Sequence, residues 1–284
     1  MNPKVKSKLH FSGRHDSPLL GSSPDFMEYR HYYQGEDAKN VDWKASLKTG
    51  KTLVRQMEHQ AQINHWFICD SSESMCFPKK GERNKYDIQL ILVGVFIHLF
   101  SGQGDAAGLS MLQNNQCVFL DPKKTKSGIT QLLSTLYNYT PIGSETQIDL
   151  INTCINKIRK PSVFWIFCDF DHDPEKLLEK IKLLKQQQQD VRVIHLFHPE
   201  EKELSWRGRC LFKDIEEELE DQRVYPEQIE QAYKEVYKEH CNLIRNFFKR
   251  HSIPYCHFNM NASLSDQLIK FIAEDISYEE EKGS

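Results

Sequence analysis

The sequence predicts an α/β fold, in which a doubly wound and mostly parallel sheet follows an irregular N-terminal entry segment. Two observations carry this prediction. From about residue 63 onward, short apolar runs alternate with longer amphipathic stretches, as strands alternate with helices. Several of these runs contain almost no polar residues, which is typical of strands covered on both faces. Such alternation favours a parallel sheet with right-handed crossovers.

The composition is that of a folded protein. The chain has 284 residues, of which 39% are hydrophobic and 11% aromatic, enough for a sizeable core. A net charge of −3 lacks the basic excess of a nucleic-acid-binding protein, so nucleic acid is excluded as the main partner. The eight cysteines include no C-x-x-C pair, which indicates reduced thiols and a cytoplasmic protein. No signal peptide is predicted, and the longest apolar stretch, residues 90–100, is too short for a transmembrane segment.

The chain is predicted to consist of an entry segment, residues 1–60, packed on a core domain, residues 61–284. Glycine, charged and aromatic residues occur in the entry segment without sustained periodicity, until residues 52–57 take the pattern of a strand. Four of its side chains are interpreted as a buried ion-pair and aromatic clamp, with a partner-binding surface as the alternative. They are Arg30, Asp37, Asp42 and Trp43.

The core domain is predicted to begin with a strand over residues 63–69 that ends at Asp70. The next stretch, residues 86–100, is long and apolar enough for a core helix, which a glycine-containing turn ends. Residues 206–212 are interpreted as a small excursion such as a hairpin, and residues 278–282 as a solvated acidic tail. Further strands are predicted over residues 106–112, 117–120, 162–168, 191–197 and 255–258, and further helices over residues 126–137, 147–158, 174–185, 226–250 and 264–273.

Oxygen-bearing side chains follow two of these strands and occupy one loop. Asp70, Ser72 and Ser74 follow the first core strand as D-x-S-x-S, Asp169 follows a later strand, and Thr146 precedes a helix. Ligands of parallel α/β sheets bind at the carboxyl ends of the strands. Carboxylate and hydroxyl oxygens are hard ligands suited to Mg²⁺ or Mn²⁺. These five residues are therefore predicted to form a metal site.

The D-x-S-x-S pattern is weak on its own, because aspartate and serine are also common helix N-caps. A strand that ends in a serine-capped turn is the metal-free alternative. Position favours metal, since the motif follows the first core strand and both a threonine loop and a strand-terminal aspartate occur later.

Motifs in both parts of the chain resemble known families. The order Asp-x-Ser-x-Ser-Met, then Thr146, then Asp169 is similar to the metal-ion-dependent adhesion site of von Willebrand factor A domains. The upstream segments resemble the signature of bacterial domain-of-unknown-function family fifty-eight, in which F-x-x-x-R-x-Y and G-D-D-x-R-x-I-D-W-x-x-S-A-R precede an A-type domain. These segments are residues 13–17, 25–32, 35–46 and 53–55.

The chain departs from that signature at a few positions. Glu36 stands where the first aspartate of G-D-D is usual, and Lys39 replaces the arginine. Residues 168–170, Cys-Asp-Phe, replace the usual T-D-G of the A-type domain. The predicted ligand types are unchanged.

The resemblance implies a fold of the von Willebrand factor A type and a metal whose open position is filled by an aspartate or glutamate of a partner protein. Members of the family are often encoded beside MoxR-type AAA+ ATPases, which implies a chaperone-like or assembly complex with such an ATPase.

The leading hypothesis is thus a non-enzymatic, metal-dependent interaction module. A metal-dependent hydrolase acting on phosphoesters is the alternative, and it would need a general base, for which Glu73 and Asp171 are the candidates.

Overall fold

The computed structural model describes residues 25–33, 37, 39, 41–58, 62–78, 83–113, 116–141, 147–203, 208, 210–212 and 222–282. The chain divides into two compact units, residues 1–62 and residues 63–284, and each is described by itself.

The first unit contains more regular structure than its sequence pattern predicts. Strand β1, Asp25–His31, pairs antiparallel with β2, Leu53–Glu58, and helix α1, Trp43–Thr49, lies between them in sequence. Asp42 begins the helix as its N-cap, accepting hydrogen bonds from two backbone amides and from the hydroxyl of Tyr29. A single helix of seven residues is too short to produce the periodicity that sequence reasoning relies on.

The predicted clamp is corrected in part. Asp42 is buried, as predicted, but the contacts described above make it a helix cap. Trp43 is 63% exposed, so its assignment to a buried aromatic clamp is wrong. It occupies the first turn of α1, where an N-cap aspartate fixes the backbone and leaves the following side chain free to face water.

The second unit is built on a six-stranded sheet. Its strands are β3 Asn64–Cys69, β4 Ala106–Gln113, β5 Gln116–Lys123, β6 Val163–Cys168, β7 Asp190–Phe197 and β10 Tyr255–Asn259. Their order in the sheet is β10-β7-β6-β3-β4-β5. All neighbouring pairs are parallel except β4 and β5, which are antiparallel. The doubly wound, mostly parallel α/β class predicted from the sequence is therefore confirmed.

The helices of this unit alternate with its strands. A separate two-stranded ribbon, β8 Cys210–Phe212 and β9 Gln222–Val224, agrees with the predicted small excursion. Helix α8 extends beyond its predicted end at residue 273 and includes residues 278–282, for which a solvated acidic end stays a prediction. The helices are α2 Lys85–Gly102, α3 Lys126–Tyr137, α4 Gln147–Lys157, α5 Pro174–Gln186, α6 Pro199–Lys202, α7 Pro226–Arg250 and α8 Leu264–Lys282.

The core of this unit lies around the two central strands. All six residues of β6 are buried, as its unbroken apolar sequence predicts, and β3 is buried from His65 onward. The chain runs from β3 toward one edge of the sheet and then returns to β6 to build the other half. The strand order reverses between β3 and β6, and ligands of open α/β sheets bind at such a switch point.

One helix of the described residues, α2, has the length and apolar composition of a membrane span. Half of that 18-residue stretch is buried inside the fold, and a core helix passes the same test. The expectation of no transmembrane segment stays a prediction.

Candidate metal centre

Two of the predicted ligands, Asp70 and Asp169, lie directly after neighbouring parallel strands. Asp70 follows β3 and Asp169 follows β6, and Cys69 is paired with Phe167 in the register of these strands. Each aspartate is only 6% exposed. The sheet therefore places two buried carboxylates side by side at the switch point, as predicted from the sequence.

The serines of D-x-S-x-S connect these carboxylates. The hydroxyl of Ser72 is 2.6 Å from Oδ1 of Asp70 and 2.9 Å from the hydroxyl of Ser74, which donates to Oδ2 of Asp169 at 2.8 Å. Four of the five predicted ligands are thus brought together. The fifth, Thr146, lies outside the described residues, and its assignment stays a prediction.

The serines do not cap a helix. Ser72 precedes a 3₁₀ turn, Glu73–Cys76, but its side chain makes no capping hydrogen bond. Its hydroxyl and its backbone amide both contact Oδ1 of Asp70 instead. The capping role that the metal-free alternative gives to serine is therefore contradicted at Ser72, whereas the presence of a metal stays a prediction.

The protons of these contacts can be counted. Three oxygen–oxygen contacts connect Asp70, Ser72, Ser74 and Asp169, and the two hydroxyls supply only two protons. A third proton, carried by Asp70, would complete the chain of hydrogen bonds.

The electrostatics of the two aspartates differ. Burial, reinforced by the charge of Asp169, raises the pKa of Asp70 to about 7. Burial alone would raise the pKa of Asp169 as well, but the ammonium group of Lys85 beside it lowers that pKa to about 2. Asp169 is therefore the permanent anion of the pair, and Asp70 is the carboxylate that holds or releases a proton near neutral pH.

Sequence reasoning missed Lys85, the first residue of α2. Its side chain is 1% exposed, and its Nζ lies 2.8 Å from Oδ2 of Asp169, 2.6 Å from Oε1 of Glu201 and 3.7 Å from Oδ2 of Asp171. These carboxylates raise the pKa of Lys85 well above its usual value, even though burial opposes the charge. The site thus contains a fixed positive charge as well as its carboxylates.

Gln89, one turn further along α2, was also missed. Its Oε1 accepts from the backbone amide of Asp70 at 3.1 Å and its Nε2 donates to the backbone carbonyl of Asp70 at 2.9 Å. Two polar residues four positions apart, both buried on a mostly apolar helix, were the available signal. Ser71 holds the turn from the other side by donating to the carbonyl of Leu112.

A small cavity of about 20 Å³ lies beside the cluster of Asp70, Ser72, Ser74 and Asp169. A cavity of this volume can hold one water-sized occupant. Asp70, Ser72, Gln147, Asp169 and Asp171 are among the residues that line it. Among the described residues, no three His, Cys, Asp or Glu side chains are grouped so as to hold a metal, so an ion here would depend on the serine hydroxyls. Hard oxygen donors around a cavity of this size fit Mg²⁺ or Mn²⁺.

Both cluster aspartates are preceded by a buried thiol. Cys69 and Cys168 are 0% exposed and free. Burial raises the pKa of each thiol, so neither is a thiolate near neutral pH. The thiols act as small apolar side chains beneath the site.

Together, the strand order and the D-x-S-x-S motif at the switch point define a doubly wound α/β protein whose site resembles the motif of von Willebrand factor A domains. A curated relative, the uncharacterized protein Rv1480 of Mycobacterium tuberculosis, is 24% identical over 219 residues, which are 75% of this chain and 68% of that protein. The structure of BatB, a conserved hypothetical protein from Bacteroides thetaiotaomicron, is 16% identical with a TM-score of 0.49 and covers 76% of this chain and 97% of its own.

A second similar structure is an aerotolerance-related membrane protein from Bacteroides fragilis, solved with multiple mutations to serine. It is 14% identical with a TM-score of 0.49 and covers 75% of this chain and 99% of its own. The family model described as "Protein of unknown function DUF58" matches residues 28–242. The chain belongs to this family, as the sequence motifs predicted.

Proposed function

We propose that the protein is a non-enzymatic interaction module that binds one Mg²⁺ or Mn²⁺ ion and uses it to hold a carboxylate of a partner protein. Asp70, Ser72, Ser74 and Asp169 would hold the ion, with Thr146 as a further ligand. The observation that carries the proposal is the continuous chain of contacts at 2.6, 2.9 and 2.8 Å through these four described side chains. Cytoplasmic location is part of the proposal.

The charge of the site supports an anionic partner group. A bound divalent ion supplies a Lewis-acidic centre, and the chain contributes two carboxylates and two neutral hydroxyls to it. Lys85 already neutralises part of the negative charge of Asp169, Asp171 and Glu201. The ion would therefore keep enough positive charge to attract a carboxylate.

Binding of the ion would replace a proton. The pKa of Asp70 is raised to about 7, and metal ligands bind in their deprotonated form. The ion would therefore take the place of the proton on Asp70.

Calorimetric titration of Mg²⁺ and Mn²⁺ tests the metal step. We expect saturable binding by the wild type and its loss in Asp70→Ala, because the variant removes the ionisable ligand. Asp121→Ala is the matched control, since Asp121 is an exposed aspartate on the edge strand β5. Equal heats of binding for the wild type and Asp70→Ala would contradict the proposed metal site.

The family resemblance supports a MoxR-type AAA+ ATPase complex as the partner. We expect the full chain to co-purify with such an ATPase in the presence of Mg²⁺, and to lose it in EDTA and in Ser72→Ala. Ser134→Ala, which changes an exposed serine on α3, serves as the control. If Ser72→Ala retained the ATPase in EDTA, formation of the complex would not depend on the metal.

A phosphoesterase is the competing function. Asp171 lines the cavity and its side chain is 50% exposed, so it has access to water as a general base requires. Metal-dependent turnover of a generic phosphodiester that is lost in both Asp169→Asn and Asp171→Asn would favour this alternative.

A further inference from the structure

Gln147, the first residue of α4, is a buried polar residue that the proposed ligand set does not use. It is 4% exposed. Its side-chain nitrogen Nε2 donates to the backbone carbonyl of Phe167. Its oxygen Oε1 is fully buried and has no hydrogen-bond partner among the described residues. Buried acceptors are almost always satisfied in folded proteins, so this oxygen indicates an occupant close to it.

The orientation of the carboxamide follows from its neighbour. The carbonyl of Phe167 is an acceptor, and it also receives the backbone amide of Asp70 at 3.2 Å. Turning the carboxamide of Gln147 over would place two acceptor oxygens against each other. The hydrogen bond to Phe167 therefore fixes Nε2 against β6 and leaves Oε1 as the free end of the side chain.

The residues that line the cavity beside Gln147 determine which charge an occupant can carry there. Gln147 lines the same space of about 20 Å³ as the carboxylates of Asp70, Asp169 and Asp171. The charge of Asp169 disfavours an anion, and an apolar group would leave Oε1 of Gln147 unsatisfied. An occupant that satisfies Oε1 here is a cation or a group that donates a proton.

We propose that Oε1 of Gln147 is a further oxygen donor to the divalent ion of this site. The inference rests on the proposed function and adds a residue to it. A carboxamide oxygen increases the number of ligands without adding negative charge, which keeps the ion attractive to a partner carboxylate. Its position at the start of α4 makes this helix part of the ion site.

Manganese binding by the full chain tests this inference. Mn²⁺ is titrated calorimetrically, with the electron paramagnetic resonance signal of free Mn²⁺ as a second readout. We expect Gln147→Met, which keeps the volume but removes the oxygen, to weaken binding by about ten-fold or more. Gln147→Glu loses the hydrogen bond to Phe167, as Gln147→Met does, but retains an oxygen at the same reach, so it should bind Mn²⁺ more tightly than Gln147→Met, which a purely structural role would not predict.

The controls separate this inference from the proposed function. Gln186→Met, at an exposed position on α5, should bind like the wild type. Circular dichroism and the melting temperature without metal establish that each variant is folded. Loss of binding in Asp70→Ala together with unchanged binding in Gln147→Met overturns the role of Gln147 alone. Absence of Mn²⁺ binding by the wild type overturns the proposed function and this inference together.

Discussion

Lys85 is the only described cation paired with the carboxylates of the switch point, and its side chain is almost completely buried. Its removal would leave Asp169, Asp171 and Glu201 without a common counter-ion. Breaking a buried ion pair by removing one partner costs about 3–5 kcal/mol, because the remaining charge stays desolvated. Lys85 thus keeps the cluster folded while no ion is bound.

Lys85→Met is therefore expected to lower the free energy of unfolding by about 3–5 kcal/mol in metal-free buffer. Mg²⁺ should restore part of this loss, because a divalent ion replaces the missing positive charge. Urea denaturation with and without Mg²⁺ measures both effects. The variant Lys126→Met, at an exposed lysine on α3, is the control. Equal stability of Lys85→Met and the wild type in EDTA would contradict the role of Lys85.

The histidines at the β7 and β10 end of the sheet make stability depend on pH. Burial, with the charges of Arg245 and Lys202 and of His240, lowers the pKa of His257 to about 4. Burial also lowers the pKa of His195 well below its usual value. The unfolded chain binds these protons from about pH 6.5 downward, whereas the native state does not, so stability is present at pH 7 and falls as the pH falls.

His257→Asn is predicted to flatten this dependence. Between pH 7 and pH 5 the wild type should lose about 1–2 kcal/mol through His257 alone, and the variant should lack that part of the slope. Chemical denaturation at several pH values checks this. His98→Asn, at an exposed histidine on α2, should keep the slope of the wild type. A variant slope equal to that of the wild type would mean that His257 is not the group responsible.

At the scale of elements, α2 is the helix that holds the turn after β3. Lys85 and Gln89 lie one turn apart and contact the side chain of Asp169 and the backbone of Asp70, respectively. The sequence predicted α2 as a core helix but gave no reason to connect it with D-x-S-x-S. Packing decides which face of a helix meets which strand end, and the polar residues of α2 do not by themselves reveal it.

Gln89→Leu is predicted to weaken both the fold and the metal site. Two hydrogen bonds to the Asp70 peptide are lost and its buried carbonyl loses its described partner, for a cost of about 2–3 kcal/mol. The turn then holds the oxygens of Asp70 and Ser72 less precisely, so Mn²⁺ affinity should fall about ten-fold. Melting temperature and Mn²⁺ titration measure these effects, with Gln131→Leu on the exposed face of α3 as control. Unchanged affinity would show that the turn is held elsewhere.

At the scale of the whole molecule, the elements of the sheet were largely predictable, since buried parallel strands have nearly continuous apolar sequences. Asp70, Ser72, Ser74 and Asp169 could also be placed together, because the ends of parallel strands meet at one edge. The short α1 and α6 were not predictable, since fewer than two helical turns give no usable period. Glu201, which completes the ion pairs of Lys85, lies in α6 and was missed for that reason.

Asp70, Ser72, Ser74, Asp169, Lys85 and Gln89 all belong to the unit of residues 63–284. That segment, expressed alone, is therefore predicted to unfold cooperatively and to bind Mn²⁺ with the affinity of the full chain. Thermal unfolding and calorimetry of the two proteins side by side measure this. Loss of Mn²⁺ binding by the shorter protein, with folding intact, would show that residues 1–62 contribute to the site.

The buried thiols that precede the two aspartates make it possible to measure how often the ends of β3 and β6 separate. Cys69 and Cys168 can react with an alkylating reagent only when the ends of β3 and β6 separate, whereas Cys117 is exposed and reacts at once. The rate at which the two slow cysteines acquire label reports how often the central strands come apart. An ion that joins Asp70 to Asp169 should slow this labelling without changing that of Cys117, so mass spectrometry would time the opening of the site without any knowledge of its partner.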